Sequence, residues 1–89
     1  MIFSVYLIIS HSKKNYLSYV GYTNNLKKRI LLHNLSKGAK FTKGKSWKLI
    51  YIRNYSSKSI AMKEEYKLKK NYKLRKSIKE KYIKKINAL

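Results

Sequence analysis

The 89-residue chain sets 23 Lys and Arg against three acids, Glu64, Glu65 and Glu80, for a formal net charge of +20. It has no cysteine, which excludes disulfides and thiolate zinc sites, and its length fits one domain, residues 1–89, around one modest core. A body this positive attracts polyanions, and nucleic acid is the expected partner because every neutralised phosphate releases counterions.

Along Ile2–Ile9, Phe3, Val5, Leu7 and Ile9 alternate with Ile2, Ser4, Tyr6 and Ile8. Both faces are largely apolar, which predicts a central strand. The run is too short to span a bilayer and lacks the start and cleavage site of a signal peptide, so a cytoplasmic protein with no membrane partner is expected. His11-Ser-Lys-Lys-Asn15 is a polar break. Tyr16–Tyr22 resumes a β-rich run, predicting a hairpin. Asn24 or Asn25 can cap a helix, after which Leu26, Ile30 and His33 fall on one face with Arg29 at its edge. Residues 35–46 hold Gly38, Gly44 and four lysines and read as a loop. Trp47–Ile52 predicts a third strand. Ser56–Ser59 starts a helix that runs from Ile60 to about Lys70. A further basic helix covers roughly Lys73–Ile86, with Leu74, Ile78, Tyr82 and Ile86 at i+4 spacing. The order β-β-α-β-α-α predicts an α+β fold, a three-stranded antiparallel sheet flanked by helices.

The scarcity of acids limits the available chemistry. Two-metal phosphoryl transfer needs several carboxylates to hold cations about 4 Å apart, and two adjacent glutamates plus a distant one do not supply that. One Mg²⁺, or another divalent cation, needs only one carboxylate, waters and substrate phosphate. His11 and His33 alone make no zinc site. At about 100° per residue, Ala61, Leu68 and Tyr72 share one azimuth of the second helix, with Glu65 roughly 40° from Ala61 and Glu64 about 60° to the other side. Glu65 is therefore nearer the apolar stripe, where an acid needs a partner; Lys69, four residues on, is the plain alternative to a ligand role. Lys28, Lys37, Lys40, Lys43, Lys45 and Lys69 are candidate backbone contacts, and Phe41 and Trp47 beside the lysine loop suit base stacking. An AT-rich coding bias also inflates Lys, but it does not account for the arginine at position 29.

These residues resemble the GIY-YIG endonucleases, in particular the small stand-alone bacterial members. Ser4-Val5-Tyr6 and Tyr19-Val20-Gly21 look like the two short strands that name the family, with Ser4 in place of the first glycine and valine in place of isoleucine. Tyr19–Asn34, Ser36–Thr42 and Ser59–Lys70 extend the likeness over about residues 3–76. The resemblance implies a nuclease acting on phosphodiester bonds, on DNA rather than RNA. It assigns Tyr6 as general base, Tyr19 near the scissile phosphate, and Gly21 as the point of close backbone approach. It also assigns Arg29 to stabilise charge on phosphate, His33 as a further catalytic residue one turn later, and Glu65 as metal ligand. A non-catalytic binding module of the same fold is the alternative. A tyrosine base working near neutrality requires its pKa of about 10 to fall, to near 7.5 if tyrosinate is stabilised by roughly 3.4 kcal/mol, and the surrounding positive charge is expected to help.

Overall fold

The computed structural model describes residues 1–12 and 15–88. It contains β1 (Phe3–Ser12), β2 (Asn15–Thr23), α1 (Leu26–Asn34), a 3₁₀ turn (Lys40–Thr42), β3 (Lys48–Tyr55), α2 (Lys58–Lys70) and α3 (Tyr72–Asn87). This is the expected α+β order, on an antiparallel sheet arranged β2-β1-β3. Residues 13 and 14 of the polar break lie outside the described residues. Among the described residues no helix is long and apolar enough to cross a membrane.

β1 is apolar on both faces because it is the central strand and both its faces are covered. On one face Val5, Leu7 and Val20 pack with Ala61 and Leu68 of α2, joined by Ile50, Tyr51, Tyr55 and Ile78 of α3. On the other, Tyr6, Ile8 and Trp47 pack with Leu17, Tyr19 and the α1 residues Leu26 and Ile30. Tyr6, Leu7 and Ile8 are fully buried, and each aliphatic one stabilises the fold by roughly 1.5–3 kcal/mol. The β1–β3 register slips after Leu7, which pairs with Tyr51 while Ile8 pairs with Leu49. That bulge lets β3 bend.

Each long helix starts on a side-chain cap. Asn25 accepts from Lys28 N (3.1 Å), Ser57 from Ile60 N (3.4 Å) and Asn71 from Leu74 N (3.1 Å); such caps contribute about 1 kcal/mol each. Asn71 also ends α2, its N–H donating to Lys67 O and Leu68 O. Its double role corrects the expected helical stripe. Ala61 and Leu68 are buried, but Tyr72 opens α3 and is exposed.

Two further expectations change. Trp47 lies outside β3, which starts at Lys48, and it is buried rather than presented to a ligand. Asn34 brackets its backbone, accepting from Trp47 N (2.6 Å) and donating to Trp47 O (3.2 Å), while the indole Nε1 donates to Thr42 O (3.0 Å). Ser4, in the first-motif glycine position, is accommodated by a hydrogen bond: its buried hydroxyl donates to Asn54 Oδ1 of β3 (2.7 Å).

Candidate active site

The register of the hairpin sets Tyr6 directly opposite Gly21. A methyl group at position 21 would overlap the Tyr6 hydroxyl and ring, so only glycine lets the phenol lie across edge strand β2. On that same face β2 presents Tyr19, two residues earlier, and α1 presents Arg29 one turn before His33. α2 approaches from the opposite face of the sheet and brings Glu65. The result is a cavity of about 590 Å³ lined by Tyr6, Tyr19, Gly21, Arg29, Lys58 and Glu65, among others. Five sequence-predicted site residues thus share one hollow that straddles the edge strand.

His33 stands behind the cavity rather than in its wall. It is fully buried, with its ring edge-on to Tyr6 (centroids 5.7 Å apart) and to Tyr19 (5.2 Å). Its Nε2 lies 2.7 Å from the Tyr6 hydroxyl and its Nδ1 lies 2.9 Å from Thr42 Oγ1. Thr42 Oγ1 sits 2.9 Å from Ala39 O, a pairing of oxygens that requires the threonine proton between them, and it accepts from Ala39 N (3.1 Å). Having donated its only proton to Ala39, Thr42 accepts from His33 Nδ1–H. The other ring nitrogen is then a bare acceptor, so the Tyr6 hydroxyl donates to Nε2. Arg29 Nε donates to the same phenol oxygen over a long 3.4 Å. Gly38 allows this closure, since a side chain there would overlap His33 Nδ1.

The electrostatics differ from the expectation for Tyr6. Burial pushes its phenol above the usual tyrosine value; Arg29 pulls the other way but does not win, and Glu65 adds to the rise. Tyr6 is therefore protonated at neutral pH. Burial, and then the Arg29 charge, hold the His33 imidazole below its usual 6.5, which keeps it neutral. The Tyr6 hydrogen bond helps hold the Arg29 guanidinium charged.

Of the two adjacent acids, Glu65 lines the cavity. Glu64 faces a separate hollow with Val5, Tyr51 and Tyr55 and pairs with Lys67 at 3.4 Å. The Glu65 side chain is only 18% exposed and its Oε1 lies 3.5 Å from Lys69 Nζ. Among the described residues no three His, Cys, Asp or Glu side chains cluster as a metal site. Glu65 offers one carboxylate at the cavity, the hard oxygen donor that a cation completed by waters and a ligand's phosphate would take.

The loop lysines are not brought into this hollow. Lys37, Lys40 and Lys43 are exposed, as is Lys28 on α1. Lys45 turns back on the loop, donating to Phe41 O (3.3 Å) and Lys43 O (3.4 Å), with its Nζ 5.6 Å from the Phe41 ring centre. Sequence reasoning missed two residues. Lys58, the first residue of α2, lines the cavity but is one lysine among many. Thr42 acts on His33 only through the closed loop and has no local signature.

A family model described as the GIY-YIG catalytic domain matches residues 2–79. The chain is 48% identical over 65 residues to a UPF0213 protein of Staphylococcus haemolyticus, covering 72% of this chain and 78% of that one. It is 46% identical over 52 residues to a UPF0213 protein of Oceanobacillus iheyensis, covering 57% of this chain and 60% of that one. The chain thus spans less than two thirds of the latter's length. It is also similar to the solution NMR structure of a UPF0213 protein from Bacillus halodurans, with 33% identity, a TM-score of 0.47, and coverage of 86% and 80% of the two chains. The chain belongs to the GIY-YIG catalytic domain family.

Proposed function

We propose that the protein is a metal-dependent endonuclease that cuts the nucleic-acid backbone, DNA in preference to RNA, using one divalent cation. One observation carries this reading: Tyr6, Arg29 and Glu65, from three different elements, meet around one open cavity in a chain of net charge +20.

A backbone phosphate entering the cavity is braced by the planar guanidinium of Arg29, with Lys58 adding charge. Tyr19 and the bare backbone at Gly21 form the adjoining wall. Glu65 is the residue that would hold Mg²⁺, with waters and the phosphate completing the shell; when bound, the ion supplies stabilisation of charge building on the phosphate oxygens.

Tyr6 acts without first becoming a phenolate. As water attacks phosphorus, its proton passes to the Tyr6 oxygen while the Tyr6 proton passes to His33 Nε2. The new P–O bond forms, the old one breaks and the leaving oxygen takes a proton from solvent; the His33 proton then returns to the Tyr6 oxygen, whose own proton passes to water in the cavity, restoring both groups. Positioned proton transfer of this kind is worth about 10²–10⁴ in rate. This route needs a neutral imidazole and a protonated phenol, the two states that burial favours.

The test is nicking of supercoiled plasmid, branched DNA and RNA with and without EDTA. The wild type is expected to nick only with Mg²⁺, and Glu65→Gln and Tyr6→Phe are expected to lose nearly all nicking. Cleavage by both variants at the wild-type rate would reject the enzyme reading. The second reading is a non-catalytic binding module, favoured by the Lys69 ammonium already beside Glu65. It is distinguished by steeply salt-sensitive binding with no nicking under any divalent cation.

A further inference from the structure

A second hollow, of about 270 Å³, adjoins the first and is lined by Ser18, Tyr19, Val20, Phe41, Lys69 and Arg75. Tyr19 is common to both hollows, and Lys69 pairs with the Glu65 of the first. The wall is mainly apolar, yet two of its lining residues are cations. Phe41 is half exposed and lies nearly parallel to Tyr19, with the planes 18° apart and the centroids 6.2 Å apart.

Phe41 is not a loose surface residue. It is the middle residue of the 3₁₀ turn Lys40–Thr42. The next residue, Thr42, is buried and tied to His33, Ala39 and the Trp47 indole. Its own ring is backed by Trp47, with centroids 6.2 Å apart. A rigidly mounted aromatic face beside lysine and arginine is the chemistry that receives a nucleotide. The ring stacks on the base, which every base permits because each has a π face, and the cations meet the phosphate.

We infer that Phe41, with Tyr19, forms a stacking subsite for one unpaired nucleobase next to the phosphate held at Arg29, with Lys69 and Arg75 on the neighbouring phosphate. A base inside a duplex has both faces occupied, so the occupant is a base already out of the stack or drawn from it. This rests on the proposed nucleic-acid substrate but not on cleavage.

The experiment is binding in EDTA, where no cutting occurs. The full chain is titrated against an oligothymidylate and against an abasic sugar-phosphate chain of equal length at one salt concentration. The wild type is expected to bind the base-bearing chain roughly 5- to 100-fold more tightly. Phe41→Ala is expected to bind both chains equally, at the abasic level, and Phe41→Trp to restore the difference. Wild-type protein that does not distinguish the chains would overturn the subsite. So would Phe41→Ala that weakens both equally, or a Phe41→Ala that still discriminates. Trp47 fluorescence and the melting temperature check that Phe41→Ala keeps its loop. Discrimination without nicking in the companion assay would leave the subsite standing and remove the enzyme reading.

Discussion

The Thr42 hydroxyl, 2.9 Å from His33 Nδ1, decides whether the ring nitrogen that faces Tyr6 carries a proton. Its own proton is committed to Ala39 O, so it accepts from Nδ1–H and leaves Nε2 bare toward the phenol 2.7 Å away. A loop residue outside the cavity lining thereby sets the direction of the Tyr6–His33 hydrogen bond.

Replacing Thr42 with valine keeps most of the volume and removes the acceptor. An imidazole N–H left facing a methyl group costs about 1–3 kcal/mol, enough to move the ring toward the Nε2–H form. Nitrogen-15 NMR of His33 is expected to show Nδ1–H in the wild type and in Thr42→Ser, and a mixed or reversed tautomer in Thr42→Val. Nicking is expected to fall by roughly tenfold or more, up to the 10²–10⁴ that positioned proton transfer contributes. An unchanged tautomer in Thr42→Val would remove Thr42 from this role.

Gly21 makes a different kind of contribution, that of an absent side chain. In Gly21→Ala the new methyl meets the Tyr6 hydroxyl and ring, and that ring is fully buried and held at its tip by His33. Overpacking of this kind costs roughly 1–3 kcal/mol, so the melting temperature is expected to drop by about 4–8 °C for each kcal/mol in a domain of this size. Nicking should disappear as the phenol is pushed off its line to His33 Nε2. A melt within about a degree of wild type would mean that the strand yields at no cost and the close approach is not needed.

What the sequence made legible was what local period and local capping determine. The double-sided apolar run of β1, the Leu26–Ile30–His33 face of α1 and the inward tilt of Glu65 all follow from spacing along one element. What it hid depends on two elements meeting. Trp47 reads as a strand residue suited to base stacking until Asn34, thirteen residues earlier, is seen to hold its backbone. Tyr72 reads as part of the α2 stripe because nothing in the helical period reveals that Asn71 caps both helices. The expected lowering of the Tyr6 pKa fails for a similar reason. Most lysines are exposed and screened by water, so burial of the phenol outranks the net charge.

The two neighbouring glutamates separate cleanly by experiment. Glu65→Gln removes the only carboxylate that lines the candidate cavity among the described residues, and metal-dependent nicking is expected to fall by about a hundredfold or more. The fold should barely respond, because a partly exposed i,i+4 pair such as Glu65–Lys69 contributes only about 0.3–0.5 kcal/mol. Glu64→Gln breaks a pair on another surface and should leave nicking intact. If Glu64→Gln abolished nicking and Glu65→Gln did not, the ligand role would move one residue along α2.

Stability should also depend on pH through His33. Its folded-state pKa is lowered, by burial first and by Arg29 second, so the folded chain binds its proton less readily than the unfolded chain does. The stabilisation is fully present above the unfolded value of about 6.5 and is lost as pH falls from there through the folded value. Acid unfolding commonly reports carboxylates, but this chain has three, and each forms an ion pair with a lysine that is at least half exposed. A histidine should therefore stand out. The melting temperature of the wild type is expected to fall steadily between about pH 7 and pH 5, and that of His33→Gln, which has no proton to gain there, to change less across the same interval. Nicking should follow the same acid limb, because a protonated imidazole has no lone pair for the Tyr6 proton. A wild-type melt as flat as the variant's would show that the imidazole takes up its proton without disturbing the fold, and the relay from Tyr6 would lose its acceptor.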